Sequence, residues 1–305
     1  MSDTAVSLRR KIDSAADLKS VVRTMKTLAA ASIGQYESSV RSLADYARSV
    51  ELGLSVCLRH RARVSASPVA ERTHAQKPRA ARTFGAIVYG SDQGLVGQFN
   101  ERVVDFAVIQ LRRFGGACKV WSVGERARSR LAEAGLESVG VFSNPNSVAG
   151  ITTLVEQILL DTEALRAQGA LVELHLFYNS PGDGSIYSPN GTRLLPLDAE
   201  WEHSRMQQSW PNHHLPGVLG AEPETLRRLI GEYLFVCLFR AAAESLASEN
   251  ASRLAAMQRA EKSIDDQLEA MLALFHRLRQ ARIDEELFDV IAGFEALGGA
   301  NLQSR

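Results

Sequence analysis

The fold of this 305-residue chain is decided by residues 222–294, EPETLRRLIGEYLFVCLFRAAAESLASENASRLAAMQRAEKSIDDQLEAMLALFHRLRQARIDEELFDVIAGF. Its one proline, Pro223, stands at the start, where a helix tolerates proline because the missing N–H would be unpaired there. Between Pro223 and Gly293 only Gly231 interrupts residues that favour helix. A single helix over this stretch would be about 105 Å long at about 1.5 Å per residue. A helix several times longer than a small domain needs a partner helix, and we expect it to reach another protein.

Residues 4–60 predict a second long helix, because no proline precedes Pro68 and the only glycines are Gly34 and Gly53. Apolar or small residues recur at alternating spacings of four and three, the seam of a left-handed coiled coil. That seam comprises Tyr36, Val40, Leu43, Ala47, Val50, Leu54 and Cys57, and it continues more loosely upstream through Leu8, Ile12, Ala15, Leu18, Val22, Met25 and Ala29. The two terminal helices can pair antiparallel if the segment between them returns the chain.

The middle of the chain alternates strand and helix signals. Short apolar runs predict strands at 84–90, 119–124, 138–142 and 171–180, and helical periodicity predicts helices at 99–114, 125–134 and 148–168. This order implies a mostly parallel sheet with flanking helices. A turn-rich stretch over 180–192 then leads to a returning edge strand at 193–197, where Pro196 suits an edge. The predicted fold class is therefore α/β plus a long antiparallel coiled coil, with two long terminal helices flanking a Rossmann-like domain.

The domain organisation follows from these signals and from changes in composition. Residues 59–83 hold two prolines, many arginines and few large apolar residues, which is typical of a linker. We predict an N-terminal shaft helix over 1–58, a linker over 59–83, an α/β domain over 84–200, a connecting loop over 201–221, a C-terminal shaft helix over 222–297 and a tail over 298–305.

Composition excludes several classes of protein. Lys+Arg and Asp+Glu balance at 35 each, which argues against a general nucleic-acid binder. The three cysteines are far apart and form no CxxC, so we expect reduced, packed thiols. The first twenty residues lack the apolar core of a signal peptide, and no uncharged apolar run is long enough to cross a membrane. We expect contact with a membrane only through partners.

Candidate chemistry is sparse. The segment GSDQGLVGQFN, residues 90–100, follows a strand and opens a helix as phosphate loops do, but its glycine spacing matches neither common nucleotide motif. We interpret Asp92, Gly94 and Gly97 as structural turn residues. The histidines of 203–214 fit no compact zinc pattern. We expect no catalytic residue, no cofactor and no metal, and hence a structural or mechanical interaction protein. A coiled-coil adaptor and a nucleotide-dependent enzyme using residues 90–97 remain as alternatives.

Three segments in order resemble the gamma subunit of F-type ATP synthases. VVRTMKTLAAASIGQ (21–35) resembles the family's K-A-M-K-M-V-A-A-S-K stretch, and YGSDQGLVGQFN (89–100) resembles S-T-D-R-G-L-C-G-x-L-N. ESLASENASRLAAMQRA (244–260) is similar to S-E-Q-A-A-R-M-x-A-M, and RLRQARIDEELFDVIAGFEAL (277–297) is similar to R-Q-A-x-I-T-x-E-L-x-E-I-V-x-G-A-x-A. The matches cover both ends and the middle of the chain, and together they are specific.

The resemblance implies a central-stalk rotor with no catalytic site of its own. Ion flow through the membrane sector would turn the helical shaft inside a hexamer of alpha and beta subunits, while the α/β domain meets the epsilon subunit and the c-subunit ring. It also implies a peripheral position on the cytoplasmic face of a bacterial inner membrane. Met25 and Lys26 match the pair that faces an acidic lever region of a catalytic subunit, so we expect Lys26 to be an exposed cation. Arg279 and Gln280 match the family's hexamer-contacting pair, and Glu286 belongs to the same contact segment.

The chain departs from the family pattern at several positions. Gln93 replaces an arginine, Val96 replaces a cysteine and Asp284 replaces a threonine, while Ile33 and Gly34 end the basic N-terminal patch. These changes are typical of a divergent branch, such as the alternate ATPase complex that some bacteria encode. The basic face of the N-terminal helix is then expected to meet an acidic partner rather than solvent alone.

Overall fold

The computed structural model describes residues 2–64, 83–114, 116–167, 171, 173–182, 185–211, 216–218 and 221–300. The helices are α1 (Ser2–Val64), α2 (Phe99–Phe114), α3 (Glu125–Glu133), α4 (Val148–Ala167), α5 (Ala199–Met206) and α6 (Glu222–Ala300). The strands are β1 (Thr83–Tyr89), β2 (Ala117–Val123), β3 (Ser138–Phe142), β4 (Glu173–Ser180) and β5 (Ser188–Leu195). The predicted class, two long terminal helices flanking a mostly parallel sheet, is confirmed.

The five strands form one sheet in the order β3-β2-β1-β4-β5. β1 pairs in parallel with β2 and β4, β2 pairs in parallel with β3, and β5 pairs antiparallel with β4 at the edge. The central strand β1 is buried along nearly its whole length, which explains its continuous apolar run. The chain leaves β1 towards β2 on one side and later crosses from β3 to β4 on the other side of β1, so the loop after the carboxyl end of β1 lies at a switch point of the sheet.

Helices cover both faces of the sheet. On one face α2 packs Val103, Val104 and Ala107 onto Ala86 and Val88 of β1. On the other face α4, together with the 36–40 segment of α1 and the 234–247 segment of α6, encloses a core. That core contains Ile87, Tyr89, Trp121, Ile151, Ile158 and Leu238, all nearly free of solvent contact.

The chain divides into two compact units, and the division runs through both long helices. Residues 29–253 form the sheet unit, and residues 1–28 with 254–305 form the coil unit. The sequence instead predicted the whole of each terminal helix as shaft. The difference has a physical reason: the later part of α1 and the first part of α6 bury their apolar faces against the sheet and its loops.

Within the sheet unit, α1 and α6 pack closely beside the sheet. Val50, Leu54, Cys57 and Leu58 of α1 meet Leu226 of α6, and the Leu54 side chain is fully buried. The Leu229 side chain of α6 lies 3.3 Å from the position that a Cβ on Gly53 would occupy. Gly53 therefore lets the two helices approach closely.

Within the coil unit, α1 and α6 form an antiparallel pair. Val22 packs against Met257 and Ile264, with Ala15 and Met25 at the margin of the cluster. The prediction that Leu18 lies in the seam is wrong, because its side chain is 54% exposed and the neighbouring Lys19 faces α6 instead. The reason is the seam rhythm itself, since four residues beyond the seam position Ala15 falls on Lys19 rather than on Leu18.

Three predicted boundaries differ from the structure. α1 continues to Val64, past the expected linker start at residue 59, and residues 65–82 of that linker lie outside the described residues. The short helix α5 forms where a connecting loop was expected from residue 201, because Asp198 caps it by accepting from the Trp201 N–H at 3.0 Å. The edge strand begins at Ser188 rather than at residue 193, inside the stretch predicted as a turn.

Candidate functional site

Lys26, predicted to be an exposed cation, is instead paired within the coil unit. Its Nζ lies 2.5 Å from Glu261 Oε2, and Arg23 Nε donates to Glu261 Oε1 at 2.8 Å. The Lys26 side chain is 34% exposed, against 61% for Arg23. Hydrogen bonds from Lys26 and Arg23 lower the pKa of Glu261 to about 2. Glu261 therefore stays ionised near neutral pH and holds both cations against α6.

A second lysine sits at the same seam. Lys19 pairs with Asp265 on α6, seven residues before Lys26 on α1. A heptad separates the two positions, so the coil carries two charged layers where apolar side chains would ordinarily meet. Charged seam positions weaken a coil but fix its register, because sliding by one turn would separate each lysine from its carboxylate.

The other predicted contact residues lie further along α6. Arg279 and Gln280 are exposed, and Glu286 forms an ion pair with Arg282 at 3.0 Å in which both side chains are about two-thirds exposed. Met25 is half-buried against the Val22 cluster. The structure thus brings Met25 and Lys26 together on the seam and leaves Arg279, Gln280 and Glu286 on the open surface of α6.

The far part of α6 lacks a described helix partner. Lys19 pairs with Asp265, and Arg9 lies over the Phe275 ring. Ten residues back along α1 thus correspond to ten residues forward along α6. With the same register, Ser2 lies level with about residue 282. Beyond that level, apolar side chains are exposed on α6: Ile283, Leu287, Phe288, Val290 and Ile291. An apolar run of this kind on a solvent-facing helix marks an interaction surface.

The glycine-bearing loop after β1 is a tight structural turn. Asp92 Oδ1 accepts from the Glu125 N–H at 3.0 Å at the start of α3, and its Oδ2 accepts from the Asn144 N–H at 2.8 Å. Gly97 has a φ of 59°, which favours glycine, whereas Gly94 has no atom closer than 3.6 Å to the site of a Cβ. Asp92 and Gly97 thus have a visible role in the turn. At position 94 a larger side chain would meet no steric clash, so packing does not explain the glycine there.

The first N–H groups of this loop are already used within the fold. The Gly90 N–H donates to the Val123 carbonyl at 2.8 Å, and the Ser91 N–H donates to Asn100 Oδ1 at 2.9 Å. A Cβ on Gly90 would lie 2.4 Å from the Ala127 Cβ, so close packing of α3 explains that glycine. A phosphate loop leaves such N–H groups free to bind the ligand, and these two point into the protein.

Sequence reasoning missed a polar cluster on α6 in the sheet unit. Glu249 is buried and Arg253 is partly buried, and the two form an ion pair at 2.6 Å, with side chains 7% and 14% exposed. Asn144 Nδ2 donates to the Gly90 carbonyl at 2.8 Å and reaches Glu249 Oε2 at 3.3 Å. The four-residue spacing of Glu249 and Arg253 was visible in the sequence, but ion pairs at this spacing are usually exposed.

Neither a metal-binding cluster nor a membrane-spanning helix is present among the described residues. In the parts of the chain that the structure describes, no group of three or more His, Cys, Asp and Glu residues is placed to hold a metal ion. His203 lies in α5, whereas His213 and His214 fall outside the described residues. No described helix is both long and apolar enough to cross a membrane.

Comparison with known proteins gives a consistent result. A family model described as ATP synthase matches residues 4–297. An ATP synthase gamma chain from Moorella thermoacetica is 26% identical over 95% of this chain and 98% of its own length. The ATP synthase gamma chain of Nitratidesulfovibrio vulgaris is 28% identical over 95% of this chain and 97% of its own length.

Solved structures with the same fold are parts of ATP synthases. A chain in the rotor of the Euglena gracilis mitochondrial ATP synthase superposes with a TM-score of 0.63 over 93% of this chain and 100% of its own length, at 14% identity. A chain in the central stalk and c-ring structure of the Tetrahymena thermophila enzyme has a TM-score of 0.53 over 79% of this chain and 99% of its own length, at 19% identity.

Proposed function

The chain belongs to the gamma-chain family of ATP synthases, and from that membership we propose that it couples ion flow through a membrane sector to conformational change at the catalytic sites of a hexamer. Its part in that process is mechanical: it supplies a turning shaft and no catalytic site of its own. The observation that carries the proposal is the far part of α6, a long helix whose apolar side chains lie open to solvent.

The exposed end of α6 fits a shaft that turns inside a partner. Leu287 is 57% exposed and Phe288 is 69% exposed, and a single helix leaves such side chains uncovered only at a cost in free energy. Arg279, Gln280 and the Arg282–Glu286 pair lie near them on the same helix and are exposed too. We infer that this mixture of apolar and charged groups meets the alpha and beta subunits of the hexamer.

The charged seam refines the contact expected at the N-terminal helix. Glu261 already neutralises much of the Lys26 charge, while Arg23 beside it is more exposed. An acidic lever region would therefore meet Arg23 first and would compete with Glu261 for Lys26. Such surface pairs contribute roughly 0–1 kcal/mol each, which suits a contact that must form and break as the shaft turns.

The remaining partners follow from the same proposal. The α/β domain would contact the epsilon subunit and the c-subunit ring, and the protein would lie at the cytoplasmic face of a bacterial inner membrane as a peripheral subunit. We propose no nucleic-acid partner. Membrane contact would be made only through the partner subunits.

Reconstitution with a catalytic hexamer tests the proposal. We expect the chain to co-purify with alpha and beta subunits, and we expect R279E to reduce ion pumping per ATP hydrolysed more than it reduces the yield of folded chain. Failure of the wild-type chain to assemble with any hexamer would refute the rotor. A stable self-dimer in light scattering would instead favour a coiled-coil adaptor unrelated to ATP synthase.

A further inference from the structure

The loop tip after β1, residues 93–97, holds a leucine in an unfavourable backbone conformation. Leu95 has a φ of 64°, and it is the only residue other than glycine with a positive φ in the described parts of the chain. The left-handed region is disfavoured for leucine because its Cβ comes too close to the following carbonyl oxygen. Glycine, which stands at positions 94 and 97, adopts this region without that penalty. The turn itself would therefore be better served by glycine, and the leucine side chain needs another explanation.

The Leu95 side chain is not packed within the chain. It is 61% exposed, whereas the neighbouring Val96 is 2% exposed and packs with Phe99 and Tyr187. Leu95 thus combines a strained backbone with an apolar side chain that lies mostly in water, and both features cost free energy in the isolated chain. Strain of this kind is concentrated where a protein meets a ligand or a partner. The combination points to a contact that the isolated chain does not make.

Arg126 brings a guanidinium group to the loop tip. It is the second residue of α3, and its backbone N–H donates to the Ser91 carbonyl at 2.9 Å. Its Nη2 lies 3.6 Å from the position that a Cβ on Gly94, the residue before Leu95, would occupy. The Arg126 side chain is exposed. The fold thus places a cation beside the strained leucine.

Arg126 is not paired with any carboxylate in the parts of the chain that the structure describes. Arg128, on the same helix, forms an ion pair with Glu125 at 2.6 Å. Both oxygens of the nearby Asp92 accept from backbone N–H groups. Arg126 also lies in the first turn of α3, where the helix dipole disfavours a cation. A carboxylate from outside the chain would therefore supply a partner that the described residues do not.

A second guanidinium group borders the same surface. Arg102 of α2 lies over the Tyr187 ring, 5.4 Å from its centre, and Tyr187 packs against Val96 of the loop tip. Like Arg126, Arg102 is exposed and forms no ion pair within the described residues. Ile186, the residue before Tyr187, is 48% exposed. The surface therefore offers apolar side chains bordered by two cations, which suits an acidic protein surface with an apolar recess.

The loop tip is tied to the part of α6 that adjoins the coil unit. Ser252 Oγ donates to the Val96 carbonyl at 2.5 Å, and residue 254, two positions further along the same helix, opens the coil unit. On the proposed function the coil unit turns inside the hexamer, so the hexamer is the partner expected at this point of α6. We propose, building on that rotor function, that the loop tip docks on an acidic surface of the catalytic hexamer, with Leu95 entering an apolar recess and Arg126 pairing with a carboxylate.

Titration of a catalytic hexamer that lacks its gamma chain tests this docking, with the full chain and its single variants. L95N introduces a residue that tolerates the left-handed region but removes the apolar side chain. We expect its affinity to fall by about 5–30-fold, while its unfolding temperature stays equal to or above that of wild type. R126A should lose about two- to fivefold at low salt and should show a weaker salt dependence of binding. The matched control is R128A, whose cation lies on the same helix but is already paired within the chain, and it should bind like wild type.

The outcomes separate this contact from the rotor itself. Wild-type affinity in both L95N and R126A, with normal binding by the wild-type chain, overturns the docking surface and leaves the rotor intact. Failure of the wild-type chain to bind refutes the rotor and this contact together. An equal loss in R128A overturns the role of Arg126, and a lowered unfolding temperature of L95N overturns the premise that the Leu95 side chain has no role within the chain. Weaker binding by L95N and R126A, with R128A unchanged, supports the docking.

Discussion

The exposed apolar side chains near the end of α6 lead to a quantitative prediction about binding to a catalytic hexamer. Phe288 and Val290 are 69% and 70% exposed, so most of their apolar surface remains to be buried by a partner. Full burial of a side chain of this kind contributes about 1.5–3 kcal/mol of binding free energy. Burial of the exposed fraction of Phe288 by a partner would therefore contribute about 1–2 kcal/mol. We expect F288A to weaken binding to the hexamer by roughly 5–30-fold, and F288A with V290A, which together remove about 2–4 kcal/mol, to weaken it by roughly 30–700-fold.

The assay is titration of a catalytic hexamer that lacks its gamma chain, with ATP hydrolysis or complex formation as the readout. Thermal unfolding of each variant, followed by circular dichroism, gives the stability of the chain alone. We expect that stability to be unchanged, because neither side chain is buried within the chain. The matched control is L160A on α4, since Leu160 is 71% exposed but belongs to the sheet unit.

Two results would refute this reasoning. Unchanged hexamer affinity in the double variant would mean that the apolar end of α6 is not a buried contact. Equal weakening by L160A would mean that loss of any exposed apolar group has the same effect, and the end of α6 would then have no special role.

Three further predictions concern the fold. G124A should lower the free energy of unfolding, measured by urea titration, by about 3 kcal/mol, because Gly124 has a φ of 100° and a Cβ there would lie 2.7 Å from the Ser91 backbone. The control is G135A: Gly135 also has a positive φ, 81°, but open space around it, and the variant should lose about 1 kcal/mol in the same titration. M257A removes a side chain that is 2% exposed in the coil unit and should destabilise that unit by about 2–4 kcal/mol, measured by thermal unfolding. The contribution of Glu261 to stability should be complete above the ordinary carboxyl pKa and lost as pH falls towards about 2, because its folded pKa is lowered; E261Q should lose this acid-sensitive step, and an unchanged acid profile would contradict the ion pairs.

Much of the fold could be read from local sequence. Every predicted helix and strand of the α/β domain is present, because each depends on a short run of apolar residues bounded by glycine or turn residues. The family resemblance is likewise confirmed, since it rests on motifs that are contiguous in the chain. The boundaries were less secure: α5 depends on the single cap at Asp198, and β5 begins inside a stretch rich in turn residues.

The surroundings of charged side chains were harder to predict, because they come from parts of the chain that are distant in sequence. Lys26 lies on a basic face of its own helix, and only the position of Glu261 on α6 places it in an ion pair within the chain. Glu249 looks like an ordinary exposed acid four residues before an arginine, and only the packing of α1 and of the loops after β1 and β3 against α6 buries it, which raises the pKa of its carboxyl. No periodicity within one segment contains this information.

The sequence by itself determined that two long helices end this chain and that a mostly parallel sheet lies between them, since proline-free stretches and regular apolar spacing act through neighbours within a few residues. The tertiary structure alone decided which charges meet and which surfaces stay open. Glu261 is 235 residues from Lys26, Glu249 is 105 residues from Asn144, and the described part of α1 runs beside α6 only up to about the level of residue 282. Such pairings depend on where the sheet returns the chain, and burial then sets the charge state and exposure of each group.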